Sequence, residues 1–161
     1  MDPRVAPLHA TLRLNTRLLL NCLDGLDDAA GGARPNERTN SIGFIAAHLV
    51  DARHLLARVI GLAVTPPYGG ALESARSIED IGAVPALAET RAVWRDISER
   101  VEEQLARLTT DVLDAPAPQR YPIDDRSVLG AIAFLMQHDA YHIGQLALLR
   151  KFHGASAMRY G

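Results

Sequence analysis

The chain has 161 residues, of which 48% are hydrophobic and 22% charged, as in a globular domain large enough to bury one core. Its 17 basic and 19 acidic side chains give a net charge of −2, which argues against a nucleic-acid-binding surface. No run of about 20 apolar residues predicts a membrane-spanning helix. Because no apolar signal-peptide region follows Met1, we expect one cytoplasmic domain over residues 1–161.

The first predicted helix runs from about Ala6 to Leu26, with leucines at helical spacing along one face. Asn15 falls on the same face, where it is either a satisfied core amide or a group that reaches a site between helices. Cys22, the single cysteine, excludes an internal disulfide and is expected to be a small core residue rather than a nucleophile. Residues 27–40 are rich in glycine, proline and asparagine and predict a loop.

A second helix is predicted from about Ile42 to Ile60, after a capping residue that is Asn40 or Ser41. His48 lies at the centre of its apolar face. Asp51 lies beside that histidine, whereas His54 points about 120° away. A loop follows, and the sequence Ser77-Ile78-Glu79-Asp80 resembles a capping box that would begin one helical turn.

A third helix is predicted from Ala86 to about Thr109, and its apolar face has no ionisable group at its centre, so we interpret it as structural. Three prolines in residues 110–126 exclude a regular helix there and leave room for a short extended turn or hairpin. The fourth helix is predicted over Val128–Phe152, with Gly154 just after its end and a cap at Asp124, Asp125 or Ser127. Four long amphipathic helices predict an all-α, up-and-down-type four-helix bundle with short irregular connections.

The fourth helix carries His138 and His142 at positions i and i+4, in the middle of its apolar face. A buried polar group without a partner costs roughly 2–7 kcal/mol, so these rings need a partner. With His48, three histidines lie at the centres of inward faces, whereas the other three do not (His9, His54 and His153). If the second and fourth helices are neighbours, the three central imidazoles can converge.

A set of three histidines suits zinc, and also nickel, iron or copper, because imidazole is a borderline ligand. Structural zinc sites usually have four protein ligands, so three leave a position open for water or a substrate. The alternative is a pair of hydrogen-bonded core histidines without metal. Because histidine binds metal only when it is neutral, we expect metal affinity to fall below about pH 6.5.

The surrounding residues offer three candidates for catalytic support: Asp139, Gln145 and Asn15. Asp139 occupies the position of the glutamate in the H-E-x-x-H motif of zinc proteases, but it is one methylene shorter. It either accepts a hydrogen bond from a ring N–H or lies on the flank of the helix. Gln145, two turns beyond His138, can hydrogen-bond a ligand, and Tyr141 can line the mouth of a pocket.

Two stretches of the sequence resemble the signatures of the DinB/YfiT-like proteins. The first is Asn40-Ser41-Ile42-Gly43-Phe44-Ile45-Ala46-Ala47-His48-Leu49, and the second is His138-Asp139-Ala140-Tyr141-His142-Ile143-Gly144-Gln145. The order and lengths of the helices are also similar, so the resemblance covers essentially the whole chain. It implies a four-helix bundle that binds a divalent metal through three histidines, corresponding to His48, His138 and His142, and that forms a homodimer.

The activity that the resemblance implies is broader. Relatives of this kind include thiol-dependent S-transferases, a mycothiol-dependent maleylpyruvate isomerase and proteins described as metal-dependent hydrolases. The resemblance therefore implies a transferase or hydrolase that uses zinc or nickel, or else iron or manganese, and acts on a small-molecule substrate or a low-molecular-weight thiol. The alternative is a non-catalytic metal- or small-ligand-binding module of the stress response. No nucleic-acid or membrane partner is expected.

Overall fold

The computed structural model describes residues 2–69 and 83–160. These residues form helices and no strand, which confirms the all-α prediction. The helices are α1 (Ala6–Leu23), α2 (Asp28–Gly32), α3 (Ile42–Val59), α4 (Leu87–Leu105), α5 (Thr110–Asp114) and α6 (Val128–Phe152). None of the helices in this part of the chain has the length and apolar character needed to cross a bilayer. The predicted capping box at 77–80 lies outside the described residues.

Serine side chains fix where the two histidine-bearing helices begin. The Oγ atom of Ser41 accepts a hydrogen bond from the Phe44 backbone N–H at 3.2 Å, and Ser127 Oγ accepts one from the Gly130 N–H at 3.1 Å. Each bond satisfies one N–H that has no partner inside the helix. Of the predicted caps, the structure therefore selects Ser41 and Ser127, and the predicted bounds of both helices are confirmed to within one residue.

The other predicted boundaries shift because local caps intervene. Helix α1 ends at Leu23, and Gly25 follows with a positive φ of 71°, a conformation that glycine adopts without strain. Helix α4 ends at Leu105 rather than near Thr109, because Thr109 caps the separate short helix α5. The predicted loop at 27–40 contains the short helix α2, capped by Asp27.

The short extended turn or hairpin predicted between the last two long helices is a single antiparallel bridge between Pro116 and Ser127. Two backbone hydrogen bonds flank this bridge, from Ala117 N–H to the Arg126 carbonyl (2.8 Å) and from Val128 N–H to the Ala115 carbonyl (2.9 Å). They hold the connection close to the start of α6. The chain therefore enters α6 from a fixed direction.

The four long helices pack in a ring in the order α1, α6, α3, α4 and back to α1. Helix α6 runs parallel to α1, because Asn15 contacts Met136 and, further along both helices, Cys22 contacts Arg150. Helix α3 runs antiparallel to α6, because its C-terminal part shares an apolar cluster with the N-terminal part of α6, and it runs parallel to α4. The prediction of an all-α helical bundle is confirmed, but its up-and-down connectivity is not, because the consecutive long helices α3 and α4 are parallel. The ring places the second and fourth long helices side by side, as the histidine hypothesis requires.

The apolar core is divided into two clusters, one toward each end of the bundle. One cluster contains Leu12, Leu56 and Ile132, and the other contains Leu19, Ala47 and Leu146. Between them lies a polar layer made of Asn15, His48, Arg53, His138, Asp139 and His142. Polar groups at this depth need partners, so this layer is where the bundle departs from simple core packing.

Candidate metal centre

The three central histidines converge in the polar layer. His48 projects from α3, and His138 and His142 project from successive turns of α6. One ring nitrogen from each histidine lies within 4.8 Å of those of the other two, which makes a group able to hold a metal ion. The convergence predicted from the faces of the two helices is therefore observed.

The spacing of two of these nitrogens fits a shared ion. The Nε2 atoms of His48 and His138 are 3.1 Å apart. Two nitrogens that each lie about 2.0–2.1 Å from one zinc ion are about 3.0–3.4 Å apart at the angles of common coordination geometries. Two neutral imidazoles can also share one hydrogen bond at this distance, but that arrangement leaves His142 without a role. The donor set therefore suits a divalent metal bound by nitrogen ligands.

Gln145 determines which nitrogen of His142 is available. The Oε1 atom of Gln145 lies 2.7 Å from His142 Nδ1, and an amide oxygen only accepts hydrogen bonds, so Nδ1 carries the proton. The lone pair of His142 is then on Nε2. The amide of Gln145 also donates to the hydroxyl of Tyr141 at 3.3 Å, which fixes its orientation. This is the kind of contact that orients metal-binding histidines in proteins.

Burial keeps the three rings neutral. Burial and, to a smaller extent, the neighbouring imidazoles lower the pKa of His48 and of His138 to about 4. Burial also lowers the pKa of His142, although the hydrogen bond to Gln145 opposes that change. At His48 and His138, protons therefore compete with a metal ion only at a pH well below 6.5. We therefore expect metal affinity to begin to fall at a lower pH than the value of about 6.5 that the ordinary histidine pKa predicts.

A cavity of about 240 Å³ borders His48 and His138. Its wall is mainly apolar, with Leu55, Phe134 and Leu135 among the lining residues. Asp51 and Arg58 of α3 add charged groups to the wall. The remaining lining residues come from α3, from the connection that follows it and from the connection that precedes α6: Ala52, Pro66, Gln119 and Tyr121. A small organic molecule in this cavity would lie next to two of the three histidines.

The structure separates the three candidates for catalytic support. Gln145 contacts His142 as described. Asn15 donates to the Met136 carbonyl at 2.9 Å and so matches the interpretation as a satisfied core amide. Asp139 is 2% exposed and accepts hydrogen bonds from Arg53 Nη2 at 2.6 Å and Arg53 Nε at 3.2 Å. Neither of the alternatives for Asp139, ring acceptor or helix flank, anticipated this buried ion pair.

Two buried residues of α3 were missed by the sequence analysis. Arg53 is fully buried, and His54, which was expected to point away from the inner face, is also buried and bonds the Val50 carbonyl through Nδ1 at 2.8 Å. The signal was the composition of α3, which carries apolar residues on all sides and is buried over most of its surface. His9 and His153 lie away from the cluster, half-buried. Cys22 is buried, and burial raises the pKa of its thiol to about 11, as suits an unreactive core residue.

A family model of the DinB superfamily matches residues 11–146, a span that includes His48, His138 and His142. No curated protein matches the chain. The matched span begins in α1 and ends in the second half of α6, so it takes in the whole helical ring that forms the candidate metal centre. This chain belongs to the DinB superfamily.

Proposed function

We propose that the protein is a metal-dependent enzyme that binds a divalent ion, zinc or nickel in the first instance, through His48, His138 and His142. The observation that carries the proposal is the convergence of one ring nitrogen from each of the three histidines within 4.8 Å of one another. Histidine binds metal only in its neutral form, and burial favours that form here. Three ligands leave a coordination position for a small molecule.

A bound divalent ion would lower the pKa of a water molecule or a thiol and so supply a nucleophile near neutral pH. This chemistry serves both a thiol S-transferase and a hydrolase. The protein's own contribution is to hold the ligand rings in place, to fix the tautomer of His142 through Gln145, and to bind the organic part of the substrate beside His48 and His138.

The cavity next to the histidines supports an enzyme rather than a closed binding module. Its volume of about 240 Å³ suits a small molecule, and its apolar lining would exclude water from a bound substrate. Leu55, Phe134 and Leu135 would contact the apolar body of that molecule. A purely structural metal site would need no such space and would usually be closed by a fourth protein ligand.

The decisive experiment uses untagged protein, because a polyhistidine tag binds nickel. Elemental analysis gives the metal content, and activity is measured with low-molecular-weight thiols and monochlorobimane, and separately with a panel of small esters. Metal together with turnover that is lost in His138→Ala supports the proposal. Metal without turnover indicates the non-catalytic binding module instead. Protein that binds no added zinc or nickel overturns the metal assignment.

A variant that fills the cavity separates substrate binding from metal binding. Ala52 lines the cavity on α3, so Ala52→Trp should lower activity while leaving the metal content unchanged. Ala92→Trp, at an exposed position on α4, is the matched control for adding a tryptophan. Unchanged turnover in Ala52→Trp would show that the substrate does not use this cavity.

We also infer a homodimer formed through α6. Tyr141, Leu148 and Phe152 are 59%, 56% and 65% exposed and lie within about 40° of one another on the helix surface, at 100° per residue. Such an exposed apolar stripe is typical of an interface between protein molecules. Leu148→Glu should shift the protein from dimer to monomer in sedimentation velocity, whereas a wild-type monomer would contradict the inference.

A further inference from the structure

Arg53 is a cation with no exposed surface, and it joins all four long helices. On α6 it bonds the carboxylate of Asp139 through two nitrogens, at 2.6 and 3.2 Å. Its Nη1 atom donates to Ser98 Oγ on α4 at 3.0 Å and to Thr16 Oγ1 on α1 at 3.2 Å. Its guanidinium carbon lies 4.0 Å from the centre of the Trp94 ring.

This cluster lies at the same level of the bundle as the three histidines. Asp139 follows His138 directly in the chain and precedes His142 by three residues, and Arg53 lies five residues after His48. At about 100° per residue, Arg53 and Asp139 project from different sides of their helices than the histidines do. The ion pair therefore connects the same two helices, α3 and α6, behind the metal centre.

Stability alone does not account for a buried ion pair. Removing two charges from water costs several kcal/mol per ion in real proteins, and well-packed apolar residues of similar volume often stabilise a fold as well or better. The pair provides a defined geometry, because the planar guanidinium donates to a carboxylate in only a few orientations. A geometric constraint between α3 and α6 matters here because the ligand nitrogens come from those two helices.

We propose that Arg53 is a positioning residue for the metal centre. Through Asp139 it fixes the register of α3 against α6, and this register sets the 3.1 Å separation of His48 Nε2 and His138 Nε2. A displacement of one helix by a fraction of an ångström would change that separation enough to weaken metal binding, while leaving the apolar clusters packed. The inference rests on the proposed metal site.

The test replaces the pair with apolar residues, in the double variant Arg53→Met/Asp139→Leu. The metal-free variant should unfold in urea near the wild-type midpoint, since no unpaired charge remains. It should bind Zn²⁺ about tenfold to a hundredfold more weakly in competition with a chromophoric chelator, the range found when contacts that orient metal ligands are lost. The visible absorption spectrum of the Co²⁺-loaded variant should also change, which a purely structural role would not cause.

Arg150→Met is the matched control. Arg150 is another buried arginine on α6, but it donates to carbonyls of Asn21, Cys22 and Ser156 and does not connect α6 to α3. It should lower the urea midpoint without changing zinc affinity or the Co²⁺ spectrum. Equal losses of affinity in Arg150→Met and in the double variant would mean that affinity only follows stability.

Arg53→Lys keeps the inference testable if the double variant does not fold. Lysine retains the positive charge but lacks the planar guanidinium. This variant should therefore fold and show a smaller loss of zinc affinity than the double variant. Wild-type affinity and an unchanged Co²⁺ spectrum in whichever variants fold would overturn the positioning role and leave the proposed function intact. Failure of wild-type protein to bind Zn²⁺ or Co²⁺ would instead overturn the metal site itself.

Discussion

The polar layer contains two clusters with opposite properties, the Arg53–Asp139 pair and the three histidines. In the first, opposite charges meet, and every nitrogen of the guanidinium has an acceptor. In the second, three groups of the same kind converge, and the buried Nδ1 atom of His138 has no hydrogen-bond partner within residues 2–69 and 83–160. The guanidinium of Arg53 is fully hydrogen-bonded by the protein, whereas the histidine cluster has the composition of a binding site.

Burial changes the pKa values of the two clusters in opposite directions within one layer of the bundle. Burial raises the pKa of the Asp139 carboxyl, and the charge and direct hydrogen bonds of Arg53 oppose that rise while they hold two helices together. Burial lowers the pKa of the three histidines, and the ring of His142 is hydrogen-bonded to the neutral amide of Gln145. The rings remain neutral and keep the lone pairs that bind metal.

The largest effect is expected from removing one partner of the Arg53–Asp139 pair. Arg53→Ala leaves the Asp139 carboxylate buried and unpaired, so the metal-free protein should lose about 3–5 kcal/mol of unfolding free energy. Urea denaturation measures the loss. Arg100→Ala, which removes an exposed pair with Asp96 at 3.7 Å, is the control and should lose less than about 1 kcal/mol. Equal losses of unfolding free energy in Arg53→Ala and Arg100→Ala would show that the buried pair contributes no more to stability than an exposed pair.

Removing a histidine should do the opposite, with a large effect on metal binding and little on the metal-free fold. His138→Ala should lower zinc affinity by more than about a hundredfold, since even contacts that only orient ligands contribute tenfold to a hundredfold. Isothermal titration with Zn²⁺ measures the change. His9→Ala, outside the cluster, should bind as the wild type does. Wild-type affinity in His138→Ala would exclude the three-histidine site.

Acid should destabilise the metal-free protein through the histidine cluster. The pKa values of His48 and His138 are about 4 in the folded chain, and unfolded histidine has a pKa of about 6.5. Between these values the unfolded state binds more protons, so the contribution is intact above about pH 6.5 and is lost as the pH falls toward about 4. Because the rings are partly exposed, we expect a loss of about 1 kcal/mol per histidine between pH 7 and 5.

Urea midpoints at the two pH values provide the measurement. The double variant His48→Gln/His138→Gln lacks both titrating groups and should show a flatter dependence on pH. Saturating zinc should flatten the wild-type profile as well, because bound metal excludes protons from the rings. The same slope in the wild type and the double variant would place the acid sensitivity elsewhere in the molecule.

The smallest effect concerns Gln145, which lies at the edge of the histidine cluster. Gln145→Leu removes the acceptor for His142 Nδ1–H, so zinc affinity should fall by about tenfold. Gln145→Glu retains an acceptor and should keep most of the affinity. Competition with a chelator distinguishes the two variants. Equal weakening by leucine and glutamate would show that the hydrogen bond does not orient His142.

Much of this molecule could be predicted because its signals are local. The bounds of α6 follow from Ser127, which caps the helix, and from Gly154, whose positive φ of 75° follows its end. His138 and His142 share a face because four residues make roughly one helical turn. The presence of His48 at the centre of another apolar face then predicted a shared site. Each of these inferences needs only the geometry of a single helix.

What could not be predicted depends on contacts between helices. The sequence leaves open whether Asp139 faces a histidine ring or the flank of α6, because its partner, Arg53, is 86 residues away in the chain. The burial of His54 depends on how α3 is surrounded by its neighbours. The small helix α2 and the early end of α4 are different, because they follow from local caps at Asp27 and Thr109 that the sequence prediction did not include.

The sequence by itself determined the all-helical bundle, the starts of the two histidine helices and the identity of the three converging histidines, because capping and helical periodicity act over a few residues. Only the tertiary structure decided which polar groups pair with one another, since that depends on how the helices are arranged around the ring. The tertiary structure pairs Asp139 with Arg53 and Gln145 with His142, and it forms a cavity beside His48 and His138.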